Sequence, residues 1–158
     1  SNNYGPCMFP EKVIPLFITN LFENKKVPLY GDGMNIRDWI HVDDHNRGVD
    51  LIIHKGKIGE TYCLGGNNEL TNKDLTFKIL QAVGRGEEMI EHVEDRAGHD
   101  KRYAIDFSKI KNELGWEPEI SFEDGLKEMV KWYKDNYEWV KNCKSGEYKE
   151  YYKRQYNI

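Results

Sequence analysis

Residues 36–64, IRDWIHVDDHNRGVDLIIHKGKIGETYCL, decide the class of fold. Ile36 to Ile40 reads as extended. Asp43 or Asp44 can start a helix that runs to about Lys55, with Val49, Ile52 and Ile53 as its inner face. Glu60 to Leu64 reads as a strand that ends at Gly65-Gly66. Strand, helix and strand in that order, with further alternation on both sides, give the α/β or α+β class.

Before this stretch, Val27-Pro28-Leu29-Tyr30 is a short extended segment closed by the turn Gly31-Asp32-Gly33. Phe9 to Asn24 reads as helical, with Pro10 in a first turn and Pro15 splitting the segment. Ser1 to Pro6 carries turn chemistry. On the other side, Thr71-Asn72-Lys73-Asp74 has the form of a helix N-cap. The helix it starts carries Leu75, Ile79, Ala82 and Val83 on one stripe and stops at Gly84. Ile90 to Val93 reads as a strand, Asp95 to Asp100 as a loop, and Tyr103 to Ile105 as extended. Ser108 to Leu114 is a short helix capped by Gly115. Ser121 starts another, whose face is Phe122, Leu126, Met129, Val130 and Tyr133. The order of the tail after Asn136 stays open.

The chain has 158 residues, enough for one ordinary domain, and no repeat or linker divides it. Aromatic residues at 13% beside 32% charged residues fit a folded chain, since disordered chains are poor in aromatics. A net charge of −4 lacks the basic footprint of a nucleic-acid binder. Apolar runs such as 13–18 are far shorter than the ~20 residues of a membrane helix. Cys7, Cys63 and Cys143 have no CxxC spacing, so a reducing cytoplasm is the expected setting.

Phosphate-loop, nucleophile-elbow and helical metal-site patterns are missing. His41 and His45 are spaced i, i+4, but no third ligand is evident, so no metal is expected. The chain offers instead cationic and polar groups in turn-rich settings. Arg37 follows the Gly31-Asp32-Gly33 turn, Asn72 lies at a helix N-terminus, and Arg96 lies in Asp95-Arg96-Ala97-Gly98-His99. An arginine fork and free helix N–H groups suit a diphosphate, although an arginine in a loop is also an ordinary solvated charge. Pro28, Tyr30 and Tyr103 could sandwich a base or sugar ring, or simply serve the core.

Beyond these readings, a set of motifs resembles the dTDP-glucose 4,6-dehydratases, a family of extended short-chain dehydrogenases/reductases. The motifs are Ser1 to Pro6, Phe9-Pro10-Glu11-Lys12 with Val13 to Pro15, Pro28 to Gly33, Ile36 to Trp39, Asp44-His45, Gly59 to Tyr62 and Gly65 to Glu69. They continue through Asp95 to Asp100, Arg102 to Asp106 and Glu113 to Trp116, and so cover nearly the whole chain in order. The Phe-Pro-Glu-Lys run and Asp95 to Asp106 are the particular pieces; Asn-x-Tyr-Gly-Pro is shared more widely.

The resemblance implies the C-terminal, substrate-binding portion of such an enzyme: a mixed α+β lobe plus the last helix and strand of a Rossmann-type sheet. Residues 1–158 would be the nucleotide-sugar-binding portion, with the NAD-binding portion and the catalytic residues before Ser1. No catalytic residue would lie in this chain, which by itself would be inactive. The implied reaction is that of a lyase in deoxysugar and polysaccharide biosynthesis. It converts dTDP-glucose to dTDP-4-keto-6-deoxyglucose with loss of water, while bound NAD takes and returns a hydride. A homodimer in the cytoplasm, with no nucleic-acid or membrane partner, is the implied setting of the whole protein.

By position in the motifs, Asn2 should meet the substrate and Asn3 the nicotinamide end of NAD. Lys12 and Val13 should lie along the nucleotide, and Pro28, Leu29 and Tyr30 around the base. Arg37 and Asn72 look like diphosphate contacts. Asp95, Arg96, Ala97, Gly98 and His99 should hold ribose and phosphate, although the family usually has proline where this chain has Ala97. A related nucleotide-sugar epimerase or dehydratase with another base, and a non-catalytic nucleotide-sugar-binding module, stay open here.

Overall fold

The computed structural model describes residues 1–95 and 97–146. In chain order the elements are β1 (Asn2–Tyr4), α1 (Val13–Phe22), β2 (Val27–Tyr30), β3 (Ile36–His41), α2 (Val42–Lys55), β4 (Glu69–Thr71) and α3 (Asn72–Val83). A 3-10 turn (Glu87–Met89), β5 (Ile90–Val93), β6 (Arg102–Tyr103), α4 (Ser108–Leu114), α5 (Phe122–Asp135) and α6 (Tyr137–Ser145) follow. The chain is therefore mixed α/β, as the alternation of elements implies.

Strand β3 is the hub. β1 runs parallel to its second half, with Asn2 opposite Trp39 and Tyr4 opposite His41. β6 runs parallel to its first half, with Arg37 opposite Tyr103. β4 runs antiparallel, with Asp38 opposite Glu69. β2 and β5 form a separate parallel pair, from Val27 opposite Ile90 to Tyr30 opposite Val93. Alternation along β3 divides the chemistry between two faces. Tyr4 and Trp39 enter the main core with Ile14, Ile18 and Leu21 of α1, Leu75 and Ile79 of α3, and Phe122, Met129 and Tyr133 of α5. Ile40, on the other face, packs with Leu64, Ile110 and Trp116.

Local chemistry fixed the helix ends where capping residues were legible. Thr71 Oγ1 accepts from Asp74 N at 2.9 Å, and Ser121 Oγ from Asp124 N at 3.1 Å. Gly84 closes α3 in the left-handed conformation, φ 76°. Of the tail left open, residues 137–145 form α6, with Val140 fully buried against the main core, and residues 147–158 lie outside the described residues.

Several expectations are corrected. Ser1 to Pro6 is not all turn: Asn2–Tyr4 pairs with β3 and the chain turns after it. The first segment does divide into a turn and a helix, with Lys12 N donating to Phe9 O at 3.1 Å, but the break falls at Lys12 and not at Pro15. Pro15 falls in the first turn of α1, where the N–H groups have no intrahelical partner to lose. The N-cap of α2 is His41, whose Nδ1 accepts from Asp43 N at 3.3 Å. Tyr103 to Ile105 keeps strand pairing only at Tyr103.

The inner face of α2 is also different. Val49 and Ile53 are exposed, whereas Asp44 and Gly48 are buried, with Leu51 and Ile52 packed against the second core. Ile52 faces inward as expected, but Val49 and Ile53 do not, because much of the contact is made by a glycine and a paired carboxylate. A Cβ on Gly48 would stand 2.5 Å from Leu64 Cδ2 and 3.0 Å from Trp116. Glu60–Leu64 forms no strand, since none lies beside it among the described residues. Its carbonyls find other donors: Lys109 Nζ reaches Thr61 O at 2.9 Å, and the Ser1 nitrogen reaches Leu64 O at 3.1 Å.

Asp44 joins α2 to the segment before α5. It accepts from Arg47 Nη2 at 2.7 Å, Ile120 N at 2.9 Å and Glu119 N at 3.1 Å. Burial pushes its pKa up, but the bonds from Arg47 and from the Ile120 and Glu119 amides outweigh that and hold it below the usual carboxylate value. Asp44→Ala would strand the Ile120 and Glu119 amides, while Arg47 keeps Glu119 Oε1 and Glu117 O, and is expected to cost about 3 kcal/mol at neutral pH. A depressed folded pKa means that this contribution is whole above the unfolded value of about 4 and fades as pH falls through the folded one. Urea unfolding at pH 7 and near pH 3 should therefore show the gap between wild type and variant narrowing in acid. An equal gap at both would remove the carboxylate from the account.

Candidate functional site

A cleft of about 660 Å³ opens between β2, the first turn of α1 and one face of the β3 sheet. That volume is ordinary for a small-molecule site. The sheet face is set by register: Asn2 lies opposite Trp39 and Arg37 opposite Tyr103, so alternation puts all four side chains on one side.

Arg37 is 8% exposed and is held from several directions. Its Nη1 donates to Ile36 O at 2.7 Å and its Nη2 to Asp100 O at 2.9 Å, while Cζ lies 4.3 Å from the centroid of the Tyr103 ring. Asn2 Nδ2 donates to Asp38 O at 3.1 Å, and Asn2 Oδ1 accepts from the Tyr103 hydroxyl at 2.7 Å. Asn3 also lines the cleft and donates to Ser1 O at 3.2 Å.

The opposite wall comes from β2. Pro28, Leu29 and Tyr30 line it, and the Tyr30 ring meets His99 edge to face with centroids 6.5 Å apart. The turn after Tyr30 needs glycine: Gly31 has φ 55°, and a Cβ there would stand 3.2 Å from Asp95 Cβ. That close approach brings the Asp95 loop against the end of β2. His99 Nδ1 is 2.7 Å from Asp95 Oδ1, so Nδ1 carries the proton and donates. Lys12 and Val13 stand at the start of α1, whose N-cap makes no side-chain hydrogen bond. The Lys12 ammonium lies 3.1 Å from Glu11.

Of the residues expected to bind, Asn2, Asn3, Lys12, Val13, Pro28, Leu29, Tyr30, Arg37, Asn72 and His99 all line this cleft. Asp95 stands behind His99, and Ala97 and Gly98 form an exposed turn that does not line it. Arg96 lies outside the described residues. One chemical expectation is overturned. The first N–H groups of α3 are not free for phosphate, because Asn72 N donates to Asn35 O and Lys73 N to Gly33 O, each at 2.9 Å. Asp74 N is used by the Thr71 cap. Any contact from α3 therefore falls to side chains such as Asn72.

Trp39, Thr76, Met8, Leu16 and Phe17 line the cleft without having been singled out. Trp39 follows Arg37 by two positions on an extended segment, so period-two alternation could have found it. Its buried indole N–H has no partner among the described residues.

A second hollow of about 550 Å³ lies on the other face of the sheet. Asp38, Glu69 and Asp106 line it with Lys111, so its charge repels an anion. Among the described residues no group of three or more His, Cys, Asp or Glu side chains could hold a metal ion. None of the described helices is long and apolar enough to cross a membrane.

The family model described as GDP-mannose 4,6 dehydratase matches residues 1–129. The dTDP-glucose 4,6-dehydratase of Streptomyces antibioticus is 53% identical over 139 residues, which are 88% of this chain and 42% of that protein. Among solved structures, the dTDP-glucose 4,6-dehydratase of Bacillus anthracis in complex with NAD has a TM-score of 0.86 at 53% identity, covering 90% of this chain and 45% of that one. DesIV, the dTDP-glucose 4,6-dehydratase of Streptomyces venezuelae with NAD and TYD bound, has a TM-score of 0.87 at 49% identity, covering 90% and 44%. The chain thus spans less than half the length of these relatives, and matches their C-terminal part.

Proposed function

Because the chain belongs to the GDP-mannose 4,6 dehydratase family, we propose that it forms the nucleotide-sugar side of a dTDP-glucose 4,6-dehydratase. Residues 1–158 then make up a nucleotide-sugar-binding portion that works with a dinucleotide-binding portion. The whole enzyme, a cytoplasmic homodimer on this reading, converts dTDP-glucose to dTDP-4-keto-6-deoxyglucose. The observation that carries the proposal is the buried guanidinium of Arg37. A permanent cation with its geometry fixed by two carbonyls, facing a cleft walled by Tyr30, Pro28 and Leu29, suits a diphosphate attached to a base.

In this reading Arg37, Lys12 and the Asn72 side chain neutralise and orient the diphosphate. Pro28, Leu29 and Tyr30 enclose the base. His99, aimed by Asp95, faces ribose or phosphate with its other ring nitrogen, and Asn2 meets the substrate where the sugar joins the diphosphate. The described residues contain no glycine-rich strand-to-helix turn of the dinucleotide type, so they do not by themselves build a site for NAD. When bound, NAD supplies a hydride acceptor and donor. Asn3, at the edge strand β1, is the residue of this chain proposed to reach it.

Calorimetric titration with dTDP and, in parallel, UDP tests the reading. Saturable binding that prefers dTDP is the expected result. Equal affinity for the two would point to a relative with another base, and no binding of either by a folded chain would remove the nucleotide reading of the cleft.

A further inference from the structure

Tyr103 offers an aromatic face of the kind that stacks on a base, but its contacts in the fold assign it elsewhere. Its ring covers the guanidinium of Arg37, and its hydroxyl donates to Asn2 Oδ1. One side chain therefore touches both groups placed at the diphosphate and sugar end of the cleft. We propose that Tyr103 is a positioning residue that holds Arg37 and Asn2 as a preformed pair of donors for the anionic part of a nucleoside diphosphate. The inference rests on the nucleotide-sugar reading above and deepens it.

Consider first what fixes Asn2. Its amide has two ends, and the Asp38 carbonyl can pair only with the nitrogen. Oδ1 is thereby turned to Tyr103, whose hydroxyl must donate to it. The second Nδ2 hydrogen then has a set direction and can serve only an acceptor. Anionic oxygen is such an acceptor, and an amide free to flip would meet it with the wrong atom half the time.

Arg37 is treated in the same way. Ile36 O and Asp100 O take two of its five N–H donors, and the aromatic ring lies over one face of the guanidinium plane. A long side chain ordered before binding loses little further rotamer freedom when the ligand arrives. Tyr103 itself is fastened from the other side of the sheet. Its neighbour Arg102 makes a bidentate pair with Glu69, both bonds 2.7 Å, which ties β6 to β4 across β3. With one ring face taken by Arg37, Tyr103 leaves the enclosure of the base to Pro28, Leu29 and Tyr30.

Two variants separate its contacts. Tyr103→Phe keeps the ring and removes the hydroxyl; Tyr103→Ala removes both. In the ligand-free chain, nuclear magnetic resonance should show the Asn2 side-chain amide shifting and exchanging faster in Y103F, while the ring-current shift of Arg37 Nε–H persists. Y103A should lose both signatures. In calorimetry, dTDP affinity should fall about 5-fold in Y103F and about 30-fold in Y103A, with thymidine affinity unchanged.

Equal loss of thymidine and dTDP would make Tyr103 part of the base wall and overturn the proposal. So would wild-type dTDP affinity in both variants. A wild-type chain that binds neither probe overturns the nucleotide reading, and with it the diphosphate role. The ligand-free Asn2 and Arg37 signals still judge the clamp in that case: unmoved in both variants, they overturn it as well.

Discussion

Gly66→Ala is expected to cost more stability than any other single methyl added to this chain, about 4 kcal/mol or more, a large part of what a domain of this size commonly has. The new Cβ would stand 1.8 Å from Trp39 O and 2.9 Å from Ile40 N. These are backbone atoms of the hub strand, so no rotamer change relieves the clash. Lifting the segment away would break the bonds from Gly66 N and Asn68 N to the Asp38 carboxylate, 2.7 and 2.8 Å, and that from Trp39 N to Asn68 O, 3.1 Å. Asp38, 1% exposed, would be left as a buried charge without those donors. Gly59→Ala is the control: φ is 87° but no atom lies within 4 Å, so the cost should be about 1 kcal/mol. Urea unfolding of the two variants beside wild type decides it. Equal midpoints for the pair would show that the segment yields easily.

Arg37→Lys should give the largest loss in binding. Lysine keeps the charge but replaces a planar fork of five donors with a single point of attachment. It cannot reach Ile36 O and Asp100 O and also present donors to a diphosphate. Affinity for dTDP is expected to fall about 100-fold, the upper range for a charge-assisted bond, while thymidine binding holds. Calorimetry with both probes, on a variant whose thermal melt shows it folded, makes the measurement. An unchanged dTDP affinity would mean that the charge alone suffices, and the fixed geometry of Arg37 would then carry no weight.

What was legible in the sequence was short-range. The caps at Thr71 and Ser121, the stop at Gly84 and the apolar stripe of α5 depend on residues a turn or two apart. What was hidden depends on distant partners. Glu60–Leu64 has strand-prone residues and a Gly65-Gly66 stop, but a strand exists only with a neighbour, and the described residues supply none. The buried side of α2 is marked by Gly48 and Asp44, which read as surface residues until Trp116 and the Ile120 amide are brought to them. The cleft shows the same division. Its residues could be placed by motif, whereas the loss of the free N–H groups of α3 followed from Asn35 and Gly33, far along the chain.

Every parallel pairing in the sheets joins segments remote in sequence: residue 2 with 39, 27 with 90, and 36 with 102. Loop closure must be completed before any of these contacts returns energy, so these pairings form later than the local helices. During synthesis the consequence is sharper. Until Tyr103 has left the ribosome, Arg37 has no ring above it and Asn2 no donor for its carbonyl. A ribosome-bound chain stalled before that residue should show no retention on a dTDP matrix, and one stalled well beyond the end of α5 should show it.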